Sequence, residues 1–466
     1  MQAPRLGISI VGLVAALAGC GTAPSQEQVE QDVDQAVRQQ APAVRAEWGA
    51  GAEAGSVQAG WIGSFNDPAL NGLVIEAQTN NRDLTAAAAN VDRSWALARQ
   101  AGANLGADVS LSRTASQTGG IGGSQPTSTS FGLGLQVSWE ADVWGRLRSG
   151  ERGAVASAQA AEADFRSAQQ SLAAATAKAY FSAIEANIQA GIVRETVEIL
   201  EETLRIVNVK HDNGMTSAQD VSLARSDLAS ARESLVTIEG SQRDAVRALE
   251  ALLGRYPGAD LEVRRSLPQV PPAPPAGLPS ELLERRPDIV AAERRVAAAF
   301  NATNQARAAR LPSIGLTGNL GSASDSLSGL LDSSNVAWTA GANLLAPIFD
   351  GGRRREAVEI ATADQEQALA AFGQAAISAF SELETNLDQG VVVQQRIVEL
   401  KEAAAEAENA FRIAQLRYEE GEEELLNVLT IQQRVIGAKS SLSSVERLLL
   451  EQRVNLNLAL GGSWDD

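Results

Sequence analysis

The sequence predicts a mostly helical, internally duplicated chain in which each half carries one very long helix and a pair of β-strands. Three observations predict it. Residues 146–211 contain no proline and place small or apolar side chains at every seventh position, at Ala158, Phe165, Leu172, Ala179, Ala186, Val193, Leu200 and Val207. A sevenfold repeat held over this many turns belongs to a supercoiling helix, here a rod on the order of 100 Å. Beyond a proline-rich break at 257–279 the same plan recurs. Before each rod, the hydrophobic period switches to two, the mark of a strand with one apolar face.

The composition agrees. Of 466 residues, 44% are hydrophobic but only 4% aromatic, and the long segments are rich in Ala, Glu, Gln, Leu and Arg. A net charge of −18 argues against nucleic acid, which needs a basic footprint. The single cysteine, Cys20, excludes an intrachain disulfide.

Residues 1–19 read as a signal peptide. Arg5 is the basic end, 6–17 are apolar and too few to span a bilayer, and Leu17-Ala18-Gly19-Cys20 closes the segment. That ending resembles the bacterial lipobox, so Cys20 is the expected site of a covalent lipid and of membrane anchoring. Gly21 in place of an aspartate resembles the outer-membrane sorting pattern. No segment has the roughly 20 uninterrupted apolar residues of a transmembrane helix.

Residues 20–66 are polar and read as a tether. Asp67 followed by Pro68 opens a helix to about 104, with Leu70, Leu73, Val74 and Ala77 on one face. A strand begins at Val109, and after a Gly/Ser/Thr loop over 117–130 a second alternates Phe131, Leu133, Leu135, Val137 and Trp139 with small or polar residues. The first rod follows, then a turn at Asp212-Asn213-Gly214-Met215-Thr216 and a helix over 217–253. The second half repeats this order: a helix over 280–309, strands at 314–320 and 336–344, and a rod over 353–420. The turn at Gly421 leads into a last helix that ends at Leu460-Gly461-Gly462-Ser463-Trp464. The reading therefore divides the chain into repeats at 67–254 and 280–466, with 255–279 as linker.

Each half's two shorter helices match its rod in length, so they are expected to stack end to end antiparallel along it. Four strands cannot close a membrane barrel, for which about eight are the minimum, and open edges in lipid leave backbone groups unpaired. If the apolar face meets lipid, the barrel must be shared between chains, and a trimer supplies twelve strands. The alternative is a small capping sheet on a lipid-anchored periplasmic coiled-coil scaffold without a pore. The two differ at Phe131, Leu133, Leu135, Val336 and Trp338, which a channel turns towards lipid.

Several spaced motifs then resemble one family. They are Trp61…Phe65-Asn66-Asp67-Pro68-Ala69-Leu70, Asn80-Asn81-Arg82-Asp83-Leu84, and Trp139-Glu140-Ala141-Asp142-Val143-Trp144-Gly145-Arg146. In the second half they are Arg286-Pro287-Asp288-Ile289-Val290-Ala291-Ala292-Glu293, Leu311-Pro312-Ser313-Ile314 and Pro347-Ile348-Phe349-Asp350-Gly351-Gly352-Arg353. Together they resemble the outer-membrane efflux protein (TolC) family, in its lipoprotein (NodT/OprM-like) branch serving RND-type pumps. The resemblance implies a mostly α fold with a membrane β-barrel portion: a homotrimeric twelve-stranded barrel in the Gram-negative outer membrane on a periplasmic α-barrel. It implies a passive channel of a tripartite efflux system, conducting drugs and toxic small molecules from an inner-membrane RND-type pump and a periplasmic adaptor.

The same resemblance assigns site residues. Cys20 is the lipid anchor. Asn213, Gly214, Met215 and Thr216, with Gly421, Glu422 and Glu423, match the periplasmic tips that meet the adaptor. Asp220 matches the acidic residue of the periplasmic gate, and Asn427 stands where the second half often has Asp. Glu419, Glu420, Glu422, Glu423 and Glu424 crowd the second tip, about fifteen carboxylates in a trimer, which favours cations by local potential. One histidine, His211, and no His/Cys cluster, phosphate loop or nucleophile–base set argue against an enzyme, a resident metal or any cofactor beyond the lipid.

Overall fold

The four strands hydrogen-bond in sequence order into one antiparallel sheet. They are β1 (Asp108–Thr118), β2 (Ser128–Ala141), β3 (Ser313–Ser324) and β4 (Val336–Leu345). The computed structural model describes residues 24–42, 48–49, 59–119, 127–277, 279 and 282–464. The signal segment and Cys20 lie outside the described residues. The helices are α1 (Gln26–Gln40), α2 (Pro68–Asn80), α3 (Arg82–Ala103), α4 (Arg146–Asp212), α5 (Ala218–Leu252), α6 (Leu282–Arg285), α7 (Pro287–Ala308), α8 (Arg353–Glu420) and α9 (Leu425–Ala459). The rods α4 and α8 are single helices of 67 and 68 residues. The chain divides into two compact units, one of residues 1–41, 90–162 and 291–374, the other of residues 42–89, 163–290 and 375–466.

In the first unit, the sheet is two-faced. Directly paired residues of an antiparallel sheet share a face, and the register aligns Leu111 with Leu135 and Leu320 and then Trp338. The facing rows on the other side align Ser112 with Gly134 and Gly321, and Gln136 with Asn319 and Thr339. The apolar side is uncovered: Leu111 is 72% and Trp338 75% exposed. A capping sheet would bury that side against helices, so the scaffold reading loses its structural basis. Strands of 10–14 residues match the length a tilted transmembrane strand needs.

Each strand pair ends in a carboxylate-capped corner. Asp142 accepts from the N–H groups of Leu147 (3.0 Å) and Arg148 (2.9 Å) at the start of α4, and Gly145 takes φ +71°. Burial would raise the Asp142 pKa, but those N–H groups and the Arg148 guanidinium hold it below the usual value. Asp350 does the same before α8, accepting from Gly352 (3.1 Å) and Arg354 (3.3 Å). Glu140 pairs with Arg146 through two hydrogen bonds, and the Trp144 indole donates to the Pro312 carbonyl at 2.7 Å. The polar tether contains a helix: α1 buries Val29 and Val33 and is capped by the Ser25 hydroxyl. Its apolar residues Val29, Val33, Ala36 and Val37 form a short stripe among Gln, Glu and Asp, which the overall polarity of the segment hid.

In the second unit, Trp61, Phe65, Leu70, Leu73, Val74 and Ala77 pack on Ala173, Ala177, Tyr180, Phe181 and Ile184 of α4, with Leu249 of α5, Leu253 just past its end, and Leu450 and Val454 of α9. Asp67 is buried at the start of α2. It caps Ala69 and Leu70 and also accepts from the Tyr180 hydroxyl (3.2 Å) and Arg264 (2.9 Å). Desolvation and the Asp67 charge push the Tyr180 phenol up to about 12.

Helix ends meet at two junctions within this unit. The predicted helix from 67 to 104 breaks at Asn81, whose Oδ1 accepts from Leu84 N at 3.1 Å while its Nδ2 donates to Leu252 O at the end of α5. Gly254, at φ +73°, lies so close that a Cβ there would stand 2.7 Å from Asn80 O. The second predicted helix breaks at Arg286, where Pro287 starts α7 without an N–H and Arg286 donates to Ala459 O at the end of α9. Gly461, at φ +71°, makes the matching close approach to Arg285. The linker lies on this unit, held by Glu250, whose carboxylate accepts from Ala259, Asp260 and Leu261 N–H groups at 2.8–2.9 Å.

Candidate functional site: the two helical turns

Both turns lie in the second unit and share one backbone design. At the end of α4, Gly214 takes φ +72°, its N–H donates to His211 O (2.9 Å) and Met215 N–H donates to Lys210 O (2.8 Å). At the end of α8, Gly421 takes φ +83°, its N–H donates to Tyr418 O (3.1 Å) and Glu422 N–H donates to Arg417 O (2.9 Å). This paired bonding satisfies the last helical carbonyls around a left-handed residue, a place that favours glycine. A Cβ would meet nothing within 4 Å at either glycine, so only the backbone angle demands them.

The turns then diverge. In the first, Ser217 and Asp220 form a capping box: Asp220 N–H donates to Ser217 Oγ (3.2 Å) and Ser217 N–H to Asp220 Oδ2 (3.1 Å). The hydroxyls of Thr216 and Ser217 also donate to Asp220, and these bonds, Thr216 first, hold its carboxyl below the usual carboxylate value. In the second, Glu424 stands at the cap position and makes no side-chain cap bond, and Asn427 is exposed. Asn213 folds back to Val209 O (2.7 Å), and His211 Nδ1 is 3.1 Å from Thr216 O. Met215 is 69% exposed at the extremity of its turn.

A core joins the two hairpins behind the turns. Leu200, Val207, Val221, Ala224 and Leu228 of the first pack with Ala414, Tyr418, Leu425, Val428 and Leu429 of the second. One polar contact adds to it. Lys210 donates to the Tyr418 carbonyl at the end of α8, and its ammonium sits 4.1 Å from the Tyr418 ring centroid. Burial, then the nearby Asp220 charge, push the Tyr418 phenol up. The predicted tip residues thus stand together on adjacent turns, and Asp220 sits half-buried behind the first, bound to its own turn. Lys210 and Tyr418 went unread as a pair. A lysine in a last turn reads as a cap for its own helix, and nothing in the chain says which foreign carbonyl it reaches.

A model of the family described as outer membrane efflux protein matches residues 73–255 and 278–462. Among relatives, the chain is 33% identical over 415 residues to the pyoverdine export outer membrane protein OpmQ of Pseudomonas aeruginosa, covering 87% of each chain. It is 32% identical over 478 residues to the toluene efflux pump outer membrane protein TtgF of Pseudomonas putida, covering 98% of this chain and 96% of that one. It is 29% identical to the probable outer membrane lipoprotein SilC of Salmonella typhimurium, covering 87% and 88%. Among solved structures, it resembles the outer-membrane channel OprN with a TM-score of 0.84 at 30% identity, covering 91% and 97%. It also resembles the open state of the Neisseria gonorrhoeae MtrE outer membrane channel, at 0.83 and 27%, with the same coverage.

Proposed function

Because this chain belongs to the outer membrane efflux protein family and is an outer-membrane efflux channel, we propose that three copies complete its pore and that the paired turns are its periplasmic gate and docking tips. The two-faced, open-edged sheet carries this reading: a lipid-facing apolar side and unpaired edge strands β1 and β4 need further copies to close. The polar side, lined by residues such as Ser112, Gln136, Asn319 and Thr339, faces the lumen; apart from Asp108 and Glu140 at the strand ends it is uncharged and mostly small, suited to passing varied small molecules. Pyoverdine and toluene, named for two relatives, bracket the polarity such a wall tolerates.

The turns bearing Asn213, Gly214, Met215, Thr216, Gly421, Glu422 and Glu423 meet a periplasmic adaptor, which links the channel to an inner-membrane RND-type pump. Asp220 and Asn427, one turn behind the tips, constrict the closed pore. Cys20 carries the lipid, and 67–254 and 280–466 act as two repeats joined by 255–279. The test is accumulation of a fluorescent pump substrate in a Gram-negative strain lacking its own channel but retaining the pump and adaptor. Expression of this chain lowers accumulation at least severalfold, and a Gly214→Pro, Gly421→Pro double variant that still reaches the outer membrane does not. Equal efflux by that variant would remove the docking role from the turns.

A further inference from the structure

The sheet carries enough geometry to say how one copy meets the next. Arg113, the midpoint of β1, lies in one hydrogen-bonded row with Leu133, Ser322 and Val336. The midpoint of β4 (Val336–Leu345) is not Val336 but falls between Ala340 and Gly341. Across three strand-to-strand steps the strand centres therefore slip, always the same way, by about 1 to 2 residues, a mean of about 1.5 per step. With about 3.3 Å per residue and strands about 4.8 Å apart, this slip is a strand tilt near 45°, at the upper end of the range for membrane barrels. Closing a barrel fixes the total stagger around its circumference, so the mean of the observed steps is carried through the seam as well.

We propose that β1 of one copy pairs antiparallel with β4 of its neighbour in the register that sets Arg113 opposite Ala342. The inference rests on the trimeric reading above and adds the residues of the seam. One further step of about 1.5 residues from the β4 midpoint lands on Ala342. The pleat independently permits it, since Arg113 and Ala342 both belong to the apolar face, and a one-residue slip would turn that face into the lumen. Leu111 then meets Leu344, two residues now 72% and 51% exposed, and Ala115 meets Ala340. The register also accommodates the one charged side chain on the apolar face among the described residues. Arg113, at mid-strand where hydrocarbon is deepest, lays its stem over Ala342 and Ala340, the two smallest side chains on that face of β4. A register two residues further on would set Arg113 against Leu344 instead.

Disulfide trapping in outer membranes tests the register on the full chain. Directly opposed residues have Cβ atoms about 4.5–5.5 Å apart and diagonal ones about 7–8 Å, beyond ordinary disulfide reach. The pair Ala115→Cys with Ala340→Cys is therefore expected to give at least tenfold more covalent dimer and trimer under mild oxidation than two slipped controls. These keep Ala115→Cys and combine it with Ala342→Cys or with Trp338→Cys. Native mass of each unoxidised variant is measured in parallel. Faster linking by a slipped pair overturns the register and leaves the trimeric barrel standing. A trimeric mass with no linking by any pair overturns the β1–β4 seam. A monomeric mass overturns the channel assembly itself.

Discussion

Replacing Lys210 with methionine keeps the side chain's length and removes its charge. In the structure that charge does two things at once, donating to the Tyr418 carbonyl and sitting 4.1 Å from the ring centroid. A charge-assisted hydrogen bond contributes about 1.5–3 kcal/mol and a partly desolvated cation–π contact about 0.5–2 kcal/mol. Both use one ammonium, so they do not add, and about 2 kcal/mol is a fair total. If the two hairpins part when the gate opens, that amount shifts the open-to-closed ratio about 30-fold, since 1.36 kcal/mol is tenfold. The assay is open probability of the purified protein in planar bilayers. Lys210→Met is expected to raise it at least tenfold, with Lys210→Arg close to wild type. Tyr418→Phe keeps both the ring and the carbonyl and removes only a buried hydroxyl that has no hydrogen-bond partner, so it is expected to stay closed. A Lys210→Met protein that folds and stays as closed as wild type, or a Tyr418→Phe protein equally leaky, would refute the reasoning.

Other outcomes follow from the same geometry. On the central strand β2, Leu135→Arg puts a charge on the apolar face and should cost about 2–4 kcal/mol in the bilayer, while the adjacent Gln136→Arg faces the lumen; outer-membrane protein levels should fall for the first and hold for the second. Gly421→Ala forces a side chain onto φ +83° at a cost of about 1–2 kcal/mol, and amide exchange at the second turn should quicken about tenfold with the rest of the chain unaffected. The folded Asp220 carboxyl sits below its ordinary 3.8, so its contribution is complete above that pH and is lost only as pH falls through the lowered value. Conductance should therefore stay flat from pH 7 to 5 and rise only under stronger acid, and Asp220→Asn should abolish the acid response. Glu250→Gln takes the ionised acceptor from all three part-buried linker N–H groups and turns one acceptor oxygen into an amide donor, and the melting temperature should drop by several degrees, a loss of about 1–3 kcal/mol.

Much of this fold was legible because its signals are periodic. A sevenfold row runs along α8 too, through Leu369, Ala376, Leu383, Gly390, Ile397, Ala404, Phe411 and Tyr418, and most of it is buried, with Ala376, Leu383, Ile397, Ala404 and Tyr418 inside. In α4 the predicted row is fully buried at Ala158, Leu200 and Val207, but between them Phe165, Leu172 and Val193 are half-buried and the packing falls on Ala173, Ala177, Tyr180 and Ile184. Alanine-rich seams carry little contrast between neighbouring rows, so the period was readable and the phase was lost along the middle of the rod. The motifs proved to be junctions. Asp67, Asn81, Asp142, Arg286 and Asp350 each cap or close a helix end, and these ends are where local rules leave few choices. The helix break at Asn81 escaped because Asn is only mildly unfavourable inside a helix, and the acceptor that secures it, Leu252 O, is distant in sequence. The turn glycines Gly214 and Gly421 were legible from sequence; the Lys210–Tyr418 contact, made between separate hairpins, was not.

The central claim, a pore completed by three chains and closed at the paired turns, is tested most directly by single-channel conductance of the purified protein alongside its native mass. The account predicts a trimer that passes small, cation-preferring currents, enlarged when Asp220 and Lys210 are replaced together. A monomer that binds bilayers and never conducts would contradict it.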